Sequence, residues 1–372
     1  MSDRSAVRTV VPRLRAPVSP MVGRAFRALG LAAAAFSLAL ACIAPSARAE
    51  GAAPAAEPTA APAADPAAPR VRHWARDWPR TDFSRRAIDL TEIVSGGVPR
   101  DGIPALDGPG TVPVAEADLP DAEPVLVLAP EDAPARAWPL RYLMWHEIVN
   151  DTVAGRPVAA TWCPLCNAAA VFDARLGERT LTFGVTGKLR ASDMIMYDRE
   201  TESWWQQIEG RAVAGALAGE TLETLPARVE SFARFREENP EGEVMAEPEG
   251  WNRPYGVNPY HRYDTGIPFL YSGEPPPHGV YPLARVVRVG TRAWPLERLA
   301  AAGELTEAGH RLVWSSGMAS ALDAETIAEG RDVGMVRVYD AATGAPVAAD
   351  VLFAFAFHAF VPEGEWMLGP DG

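Results

Sequence analysis

Short apolar runs separated by Gly- and Pro-rich breaks fill most of the chain, a pattern typical of many short β-strands. The runs that predict strands most clearly are 124–128, 135–139, 157–162, 335–339 and 351–357. The third of these leads directly into Cys163. The apolar pattern therefore indicates a mainly β protein.

Helical spacing is found in fewer places. Apolar residues within 140–150 recur at intervals that suit a helix, and a second helix is predicted at 228–238. The runs 169–173 and 180–185, joined by a Gly-Glu turn, predict a β-hairpin. The segment 240–280 is rich in Pro and Gly and predicts a loop.

Three more strands are predicted at 194–197, 204–207 and 212–214. In the first of them, strand alternation places Asp193, Ile195 and Tyr197 on one face and the intervening methionines on the other. This part of the chain interleaves charged and large apolar residues.

Two segments, 125–143 and 286–299, resemble each other. Each predicts a strand, a turn, a short strand ending in Ala-Trp-Pro-Leu, and a helix. Two occurrences are too few for a solenoid. The predicted fold is α+β and predominantly β, with short antiparallel strands, hairpins and a few helices. It comprises either two related halves, about 71–227 and 228–362, or one supersecondary unit used twice in a single domain.

Residues 1–49 predict a secretion signal peptide. An Arg-rich start precedes the apolar run 28–44, and Ala47-Arg-Ala is a small-x-small cleavage site. Cleavage after Ala49 is favoured over an uncleaved anchor and over a lipoprotein attached at Cys42, because the tripeptide before Cys42 matches a lipoprotein signal poorly. The expected location is periplasmic or secreted.

The rest of the chain divides by composition. Residues 50–70 are almost wholly Ala, Pro, Gly, Thr and acids, which predicts a disordered tether. The globular part is expected at 71–362, followed by a tail at 363–372. No second apolar stretch is long enough to span a bilayer, so no membrane span is expected in the mature chain.

The charge balance is acidic. The whole chain has a net charge of −13, and removal of seven Arg and one Asp with the signal peptide makes it −19. Nucleic acids and anionic lipids both favour basic surfaces. Neither is therefore expected as a partner.

After cleavage, Cys163 and Cys166 are the only cysteines, in the motif Cys-Pro-Leu-Cys. A thioredoxin-like motif would need a helix after the dithiol, but the following residues predict a strand. A closed zinc site would need a second ligand pair, which the sequence lacks. Three interpretations remain: a redox-active pair, a mixed metal site that includes His146, and a structural disulfide.

Three residues near the dithiol in sequence suggest chemistry. His146 is the nearest histidine and is a candidate proton donor or acceptor. Lys188 is the only lysine in the chain, and an ammonium is a compact charge that a guanidinium does not imitate. Lys188 or Arg190 is the candidate cation that stabilises a thiolate. For each residue, an ordinary structural role is the alternative.

The candidate substrate-binding residues lie in the segment 192–207 and just before it, at Arg190. They are Arg190, Asp193, Tyr197, Arg199, Glu202 and Gln206. Arg199 can clamp a carboxylate or phosphate through two hydrogen bonds. The alternative is a solvated turn at Asp-Arg-Glu-Thr-Glu.

Several motifs together carry a resemblance to a known family. They are Trp-His-Glu-Ile-Val-Asn-Asp at 145–151, Thr-x-Cys-Pro-Leu-Cys-Asn at 161–167, Phe-Gly-Val-x-Gly-Lys-Leu-Arg at 183–190, Ser-Asp-x-x-Met-Tyr-Asp-Arg at 192–199 and Thr-Glu-Ser-x-Trp-Gln-Gln at 201–207. With Arg-Asp-Gly-Ile-Pro-Ala at 100–105, the chain resembles domain-of-unknown-function family 3179 over about 80–360. The resemblance implies a family that is often exported and some of whose members are described as selenoproteins, which favours redox use of the dithiol.

The resulting hypotheses differ in what the cysteines do. In the first, the protein is a thiol–disulfide or peroxide-type oxidoreductase that needs no cofactor, and Cys163 attacks while Cys166 resolves. Its partner is an unidentified thiol, disulfide or small molecule. In the second, Cys163, Cys166 and His146 bind copper or zinc. In the third, the chain is a ligand-binding module with a structural disulfide.

Overall fold

The computed structural model describes Asp65 and residues 67–369. The predicted signal peptide 1–49, with its cleavage site and Cys42, lies outside the described residues, as does most of the predicted tether 50–70. Among the residues described, none of the helices combines the length and apolarity needed to cross a bilayer.

The described residues contain five α-helices, each of ten residues or fewer. They are α1 (Ala68–Asp77), α2 (Leu140–His146), α3 (Phe232–Glu238), α4 (Leu296–Ala302) and α5 (Ala354–Phe360). The first helix begins inside the segment predicted as a tether. Just before this helix, the Asp65 carboxylate forms a salt bridge with Arg86 at 2.7 Å. The folded part of the chain therefore starts a few residues before 71.

β-Strands make up most of the regular structure, so the predicted fold class is confirmed. The strands up to the dithiol are β1 (Ile93–Ser95), β2 (Leu106–Asp107), β3 (Thr111–Pro113), β4 (Pro124–Leu128), β5 (Arg136–Pro139), β6 (Ile148–Val153) and β7 (Arg156–Cys163). Those that follow are β8 (Ala168–Asp173), β9 (Arg175–Leu176), β10 (Arg179–Thr180), β11 (Phe183–Arg190), β12 (Asp193–Asp198), β13 (Trp204–Gln206) and β14 (Arg211–Ala214). The remaining strands are β15 (Thr224–Leu225), β16 (Ala227–Ser231), β17 (Glu243–Met245), β18 (Arg285–Val289), β19 (Arg292–Pro295), β20 (Glu304–Glu307), β21 (His310–Ser315), β22 (Met335–Asp340), β23 (Asp350–Phe353) and β24 (Glu365–Trp366).

These strands form several small sheets. Three sheets have five strands, in the orders β1-β11-β12-β13-β14, β15-β8-β7-β6-β2 and β16-β4-β5-β17-β3. The others have the orders β23-β18-β19-β24, β20-β21-β22 and β10-β9. Most neighbours are antiparallel, but β2, β17 and β24 each pair in parallel with one strand.

The internal similarity seen in the sequence corresponds to one unit that the fold uses twice. The sheet β16-β4-β5-β17 has the same order and directions as β23-β18-β19-β24, with a helix after the second strand in each case. In both copies the tryptophan indole donates to a carboxylate thirteen residues later: Trp138 to Asp151 at 3.0 Å and Trp294 to Glu307 at 2.9 Å. The two copies span 124–245 and 285–366. The described residues fall in one compact unit.

Several predicted elements differ in extent from the observed ones. The helix predicted at 140–150 ends at His146, because Glu147 has a φ of 58° that interrupts the helix, and β6 begins at Ile148. Only the tip of the hairpin predicted from 169–173 and 180–185 forms, because β9 and β10 pair around the Gly-Glu turn. The longer runs do not pair with each other: β8 pairs with β7 and β15, and 183–185 belongs to β11. The first half of the helix predicted at 228–238 is strand β16.

Two predictions near the end of the chain also change. The strand predicted at 351–357 ends at Phe353, and the chain continues as helix α5. The predicted tail contains β24, which pairs with β19. By contrast, the predicted alternation in β12 is confirmed: Ile195 and Tyr197 pack in one apolar cluster, and Met194 and Met196 pack in another.

Candidate functional site

The dithiol lies on the turn between two paired strands. Cys163 is the last residue of β7 and pairs with Ala168 at the start of β8. The Asn167 N–H donates to the Pro164 carbonyl at 3.2 Å and closes the turn, with Asn167 at a φ of 52°. No helix follows Cys166, as the sequence indicated. Both cysteines are free thiols and both are buried.

The structure brings one carboxylate to the two sulfurs. Asp193 is the first residue of β12, and a carboxylate oxygen of Asp193 and the two Sγ atoms lie within 4.8 Å of one another. The tight turn before β12 makes this approach possible, because Ala191 and Ser192 have φ values of 47° and 65°. The Cys163 thiol donates to the Ser192 carbonyl at 3.9 Å. Asp193 was predicted as a substrate-binding residue, and it lies against the thiols.

The two oxygens of Asp193 differ in their surroundings. Oδ2 accepts hydrogen bonds from Gln206 Nε2 at 2.7 Å and from the Ile208 N–H at 3.0 Å. Oδ1 is buried and has no hydrogen-bond partner among the described residues. Gln206, another predicted site residue, therefore orients the carboxylate and leaves one oxygen for the thiols.

A second buried carboxyl group, Glu147, was missed by the sequence analysis. It follows helix α2, and its carbonyl accepts from the Trp162 N–H at 2.9 Å, next to the dithiol in β7. Its φ of 58° and ψ of −33° are unusual for a residue with a side chain. In the second copy of the repeated unit, the residue nine positions after the tryptophan is Gly303, with a φ of 71°. Aligning the two copies would have revealed a glutamate where the backbone favours glycine.

Burial keeps the two carboxyl groups and the two thiols of this site protonated up to an unusually high pH. Burial raises the pKa of Asp193 to about 7, against the hydrogen bonds from Gln206 and Ile208. It raises the pKa of Glu147 to about 8, and the nearby Asp193 adds to the effect. Burial also raises the pKa of Cys163, and raises the pKa of Cys166 well above that of an ordinary thiol. The site is therefore proton-rich and acidic.

A loop segment, 258–271, covers the dithiol, and we call it the covering segment. The Tyr263 hydroxyl donates to the Leu165 carbonyl at 3.0 Å and accepts from the Phe269 N–H at 3.1 Å. The Ser192 hydroxyl donates to the Phe269 carbonyl. Burial raises the pKa of Tyr260 and of Tyr263, and the neighbouring thiols contribute. The segment thus fastens the Cys-Pro-Leu-Cys turn from above.

The covering segment and its flanks are also the most apolar part of the described surface. The large hydrophobic residues that stand out as exposed are Trp251, Val257, Ile267, Phe269, Leu270 and Tyr281, with Ile267 83% exposed. Such residues contribute little to holding the segment in place. The hydrogen bonds of Tyr263 and Ser192 therefore hold this segment in place. In the rest of the fold, buried apolar side chains have that role.

His146 does not join the thiols. Its Nδ1 donates to the Pro104 carbonyl at 2.8 Å, so its Nε2 is the acceptor of the Tyr255 hydroxyl at 2.7 Å. Burial lowers the pKa of His146. This is a neutral, fully bonded histidine, and the third ligand-type atom near the sulfurs belongs to Asp193 instead.

The two predicted thiolate-stabilising cations have other neighbours. Lys188 pairs with Ser95 of β1, and burial lowers its pKa while Asp77 opposes the shift. Arg190 donates to Glu92 at 2.7 Å and lies 3.7 Å from Glu209. Neither makes a hydrogen bond or ion pair with Cys163, Cys166 or Asp193 within the part of the chain that the structure describes.

The other predicted substrate-binding residues bond to charged groups earlier in the chain. The Tyr197 hydroxyl donates to Asp101 at 2.6 Å, and the Arg199 guanidinium pairs with Asp107 at 2.7 Å. The Glu202 carboxylate pairs with Arg80 at 3.3 Å and with Arg100 at 3.1 Å. The Arg100 guanidinium also lies over the Tyr197 ring at 4.4 Å. These contacts tie the segment before β2 to the sheet that contains β12.

One cavity borders the covering segment at Asp264 and Thr265 without reaching the dithiol. This cavity of about 960 Å³ is lined by Asp264, Arg285, Arg331 and the end of helix α4, among others, and none of the four acid and thiol residues of the site lines it. A smaller cavity of about 370 Å³ borders the covering segment and is lined by Ala191, Leu270 and Tyr271. The second cavity adjoins the turn that holds Ser192 against Cys163.

The family resemblance drawn from the motifs is confirmed by comparison with known proteins. The family described as "Protein of unknown function (DUF3179)" matches residues 100–364, which include the dithiol, Asp193 and Glu147. No curated protein matches the chain. No solved structure matches it either. Because the match covers well over half of the sequence and both carboxyl groups of the site, this chain belongs to the DUF3179 family.

Proposed function

We propose that the protein is a thiol–disulfide oxidoreductase in which Cys163 and Cys166 exchange electrons with a disulfide-containing partner. The observation that carries the proposal is the Asp193 carboxylate, which lies within 4.8 Å of both sulfurs. Burying a carboxyl group is costly unless a use or a partner compensates it. A purely structural disulfide would not explain why two buried carboxyl groups, Asp193 and Glu147, lie near the cysteines.

Asp193 supports this chemistry because it can accept and return a proton. A general base works best when its pKa lies near the pH at which it operates. Burial raises the pKa of Asp193 to about 7, so the group changes protonation state at neutral pH. The thiols need such a base, since burial also raises their own pKa values and only the thiolate is a nucleophile.

The proposed reaction begins at Cys163. Its pKa is raised less than that of Cys166, partly because Cys166 donates a hydrogen bond to it. The Cys163 thiolate attacks one sulfur of the partner disulfide, and the first partner thiolate leaves with the proton that Cys163 lost. A mixed disulfide between Cys163 and the partner remains.

Cys166 then resolves this intermediate. Asp193 takes the Cys166 proton, and the resulting thiolate attacks the Cys163 sulfur. The second partner thiolate leaves and receives the proton from Asp193. In the balance, the Cys163–Cys166 pair loses two electrons and two protons and forms a disulfide, and the partner disulfide becomes two thiols.

The reduction potential of the pair tests this function. Equilibration with glutathione buffers, followed by alkylation of free thiols, is expected to give a potential above about −300 mV. A lower value would place the pair among structural disulfides, as in the third sequence hypothesis. Cys166→Ser is expected to accumulate a mixed disulfide with a model disulfide, whereas Cys163→Ser is not. The reverse pattern would exchange the two roles.

Access to Cys163 requires the covering segment to open. Tyr263→Phe removes the hydrogen bonds to Leu165 and Phe269, each worth roughly 0.5–1.5 kcal/mol. We expect alkylation of the reduced thiols under native conditions to become about tenfold faster, since 1.4 kcal/mol corresponds to a factor of ten. The measurement is the rate of labelling followed by mass spectrometry.

Tyr271→Phe is the matched control for this variant. Among the described residues, its hydroxyl donates to the nearby Glu274 carbonyl at 2.7 Å and to no group of the Cys-Pro-Leu-Cys turn. The labelling rate of this variant is expected to stay near that of the wild type. Equal rates for all three proteins would show that Tyr263 does not fasten the segment.

A further inference from the structure

We propose that the reduced dithiol and Asp193 together form a binding site for one divalent d10 cation of the Zn²⁺ class. This goes beyond the proposed exchange reaction, because it assigns a ligand to the reduced state. The three donor groups lie within 4.8 Å of one another. That separation suits donors that share one metal after small side-chain movements, since Zn–S and Zn–O distances are about 2.3 and 2.0–2.2 Å.

A second observation points to a cation at this place. Asp193 is completely buried, and its Oδ1 atom has no hydrogen-bond partner among the described residues while Oδ2 accepts two hydrogen bonds. A buried carboxylate oxygen without a partner is costly. The hydrogen bonds from Gln206 and from the Ile208 N–H therefore orient the carboxylate. Metal-ligating side chains are commonly oriented by such a hydrogen bond from a residue behind them.

The electrostatic surroundings also favour a cation. The groups near the dithiol on the elements packed around it are Asp193 on β12, Glu147 before β6, and Tyr260 and Tyr263 of the covering segment. Glu209, after β13, is near Asp193 and lies 3.7 Å from Arg190. None of these groups near the dithiol carries a positive charge. A divalent ion would stabilise the two thiolates, which the predicted cations Lys188 and Arg190 do not contact.

The donor set selects among metals. Two thiolates exclude the hard cations Ca²⁺ and Mg²⁺, which prefer oxygen ligands. Cu(I) takes soft sulfur, but the third donor here is a carboxylate oxygen, which Zn²⁺ accepts together with thiolate. Two thiolates and a carboxylate carry three negative charges, of which a divalent ion neutralises two. Three protein ligands leave a fourth position open.

The structure thus changes the metal hypothesis drawn from the sequence. That hypothesis used His146 as the third ligand, but both ring nitrogens of His146 are engaged, with Pro104 and Tyr255. Asp193 takes the third place. Zn²⁺ binds thiolates, so binding releases the two thiol protons and the affinity should increase with pH.

The test uses the complete mature chain, reduced with a phosphine under nitrogen. Competition with a chromophoric chelator is expected to give one Zn²⁺ per chain, and Co²⁺ is expected to give thiolate-to-cobalt charge-transfer absorption. Asp193→Asn and Cys163→Ser should each weaken Zn²⁺ binding by more than the roughly 10–100-fold that loss of an outer partner costs. The cobalt absorption should weaken in Cys163→Ser.

Two variants serve as controls. Asp198→Asn makes the same change in a completely buried aspartate of the same strand, and His146→Gln removes the ligand that the sequence suggested. Both are expected to bind Zn²⁺ as the wild type does, with thermal unfolding used to verify that each variant is folded. Loss of binding in His146→Gln with retention in Asp193→Asn would overturn the proposed ligand set.

The metal proposal and the redox proposal can fail separately. The reduction potential is measured in the presence of a chelator, and the metal titration is made only on reduced protein. Absence of stoichiometric Zn²⁺ binding, or binding of Cu(I) alone, would overturn the metal site and leave the exchange reaction standing. A reduction potential in the range of structural disulfides, with Zn²⁺ still bound, would do the opposite.

Discussion

Asp193→Asn is expected to slow the reduction of a disulfide substrate by about 10²–10⁴-fold, the usual contribution of a positioned base. An asparagine fills the same space and can still bond Gln206, but it cannot take the proton of Cys166. The measurement is the rate at which the mixed disulfide resolves, followed by quenching in acid and mass spectrometry. The first step, attack by Cys163, should slow less than the second.

The pH profile separates this role from a structural one. In the wild type, the resolution rate should rise with pH and level off above about 7, where Asp193 is ionised. In Asp193→Asn, the rate should keep rising into the range where the thiol itself ionises. Asp198→Asn, the matched buried aspartate on β12, should keep the wild-type profile. A wild-type profile in Asp193→Asn would exclude Asp193 as the base.

The reduced protein is expected to lose stability as the pH rises from about 4 to 8. Asp193 and Glu147 have pKa values of about 7 and 8 in the folded state, above their ordinary values of 3.8 and 4.5. The folded state therefore binds more protons than the unfolded chain between these limits, and the free energy of unfolding falls with pH there. Each group contributes on the order of a few kcal/mol, because one pKa unit corresponds to about 1.36 kcal/mol.

Glu147→Gln tests the larger part of this effect. The variant should show a flatter decline between pH 5 and 8.5 in urea unfolding, and it should be more stable than the wild type at the higher pH. Glu178→Gln, at an exposed turn, is the control and should follow the wild-type curve. A wild-type decline that persists in Glu147→Gln would mean that Glu147 ionises freely in the folded protein.

The local part of the fold could be predicted from the sequence. The fully buried strand β4, the strand that runs into Cys163, and the two faces of β12 all follow from apolar periodicity, which depends only on neighbouring residues. The repeated Ala-Trp-Pro-Leu segments likewise indicated a unit used twice. Apolar periodicity placed the end of helix α2 too late, because apolar spacing does not report the positive φ of Glu147, which ends the helix.

The candidate site was predicted only in part, for a related reason. The sequence identified the dithiol because its two cysteines stand three positions apart in the chain. It identified Asp193 and Gln206 because they lie in a segment that interleaves polar and aromatic residues. It also selected His146, Lys188 and Arg190, whose partners are Pro104, Ser95 and Glu92 in the fold. Sequence distance to the dithiol was a poor guide to distance in space.

By itself, the sequence determined the family, the β-rich class and the position of the dithiol, because each depends on residue type and local pattern. Only the tertiary structure decided which charges meet the sulfurs. The turn at 191–192 carries Asp193 to Cys163 across thirty residues, and the end of α2 turns Glu147 toward the same place. Such meetings depend on strand register and loop conformation, which are set by the packing of the whole chain.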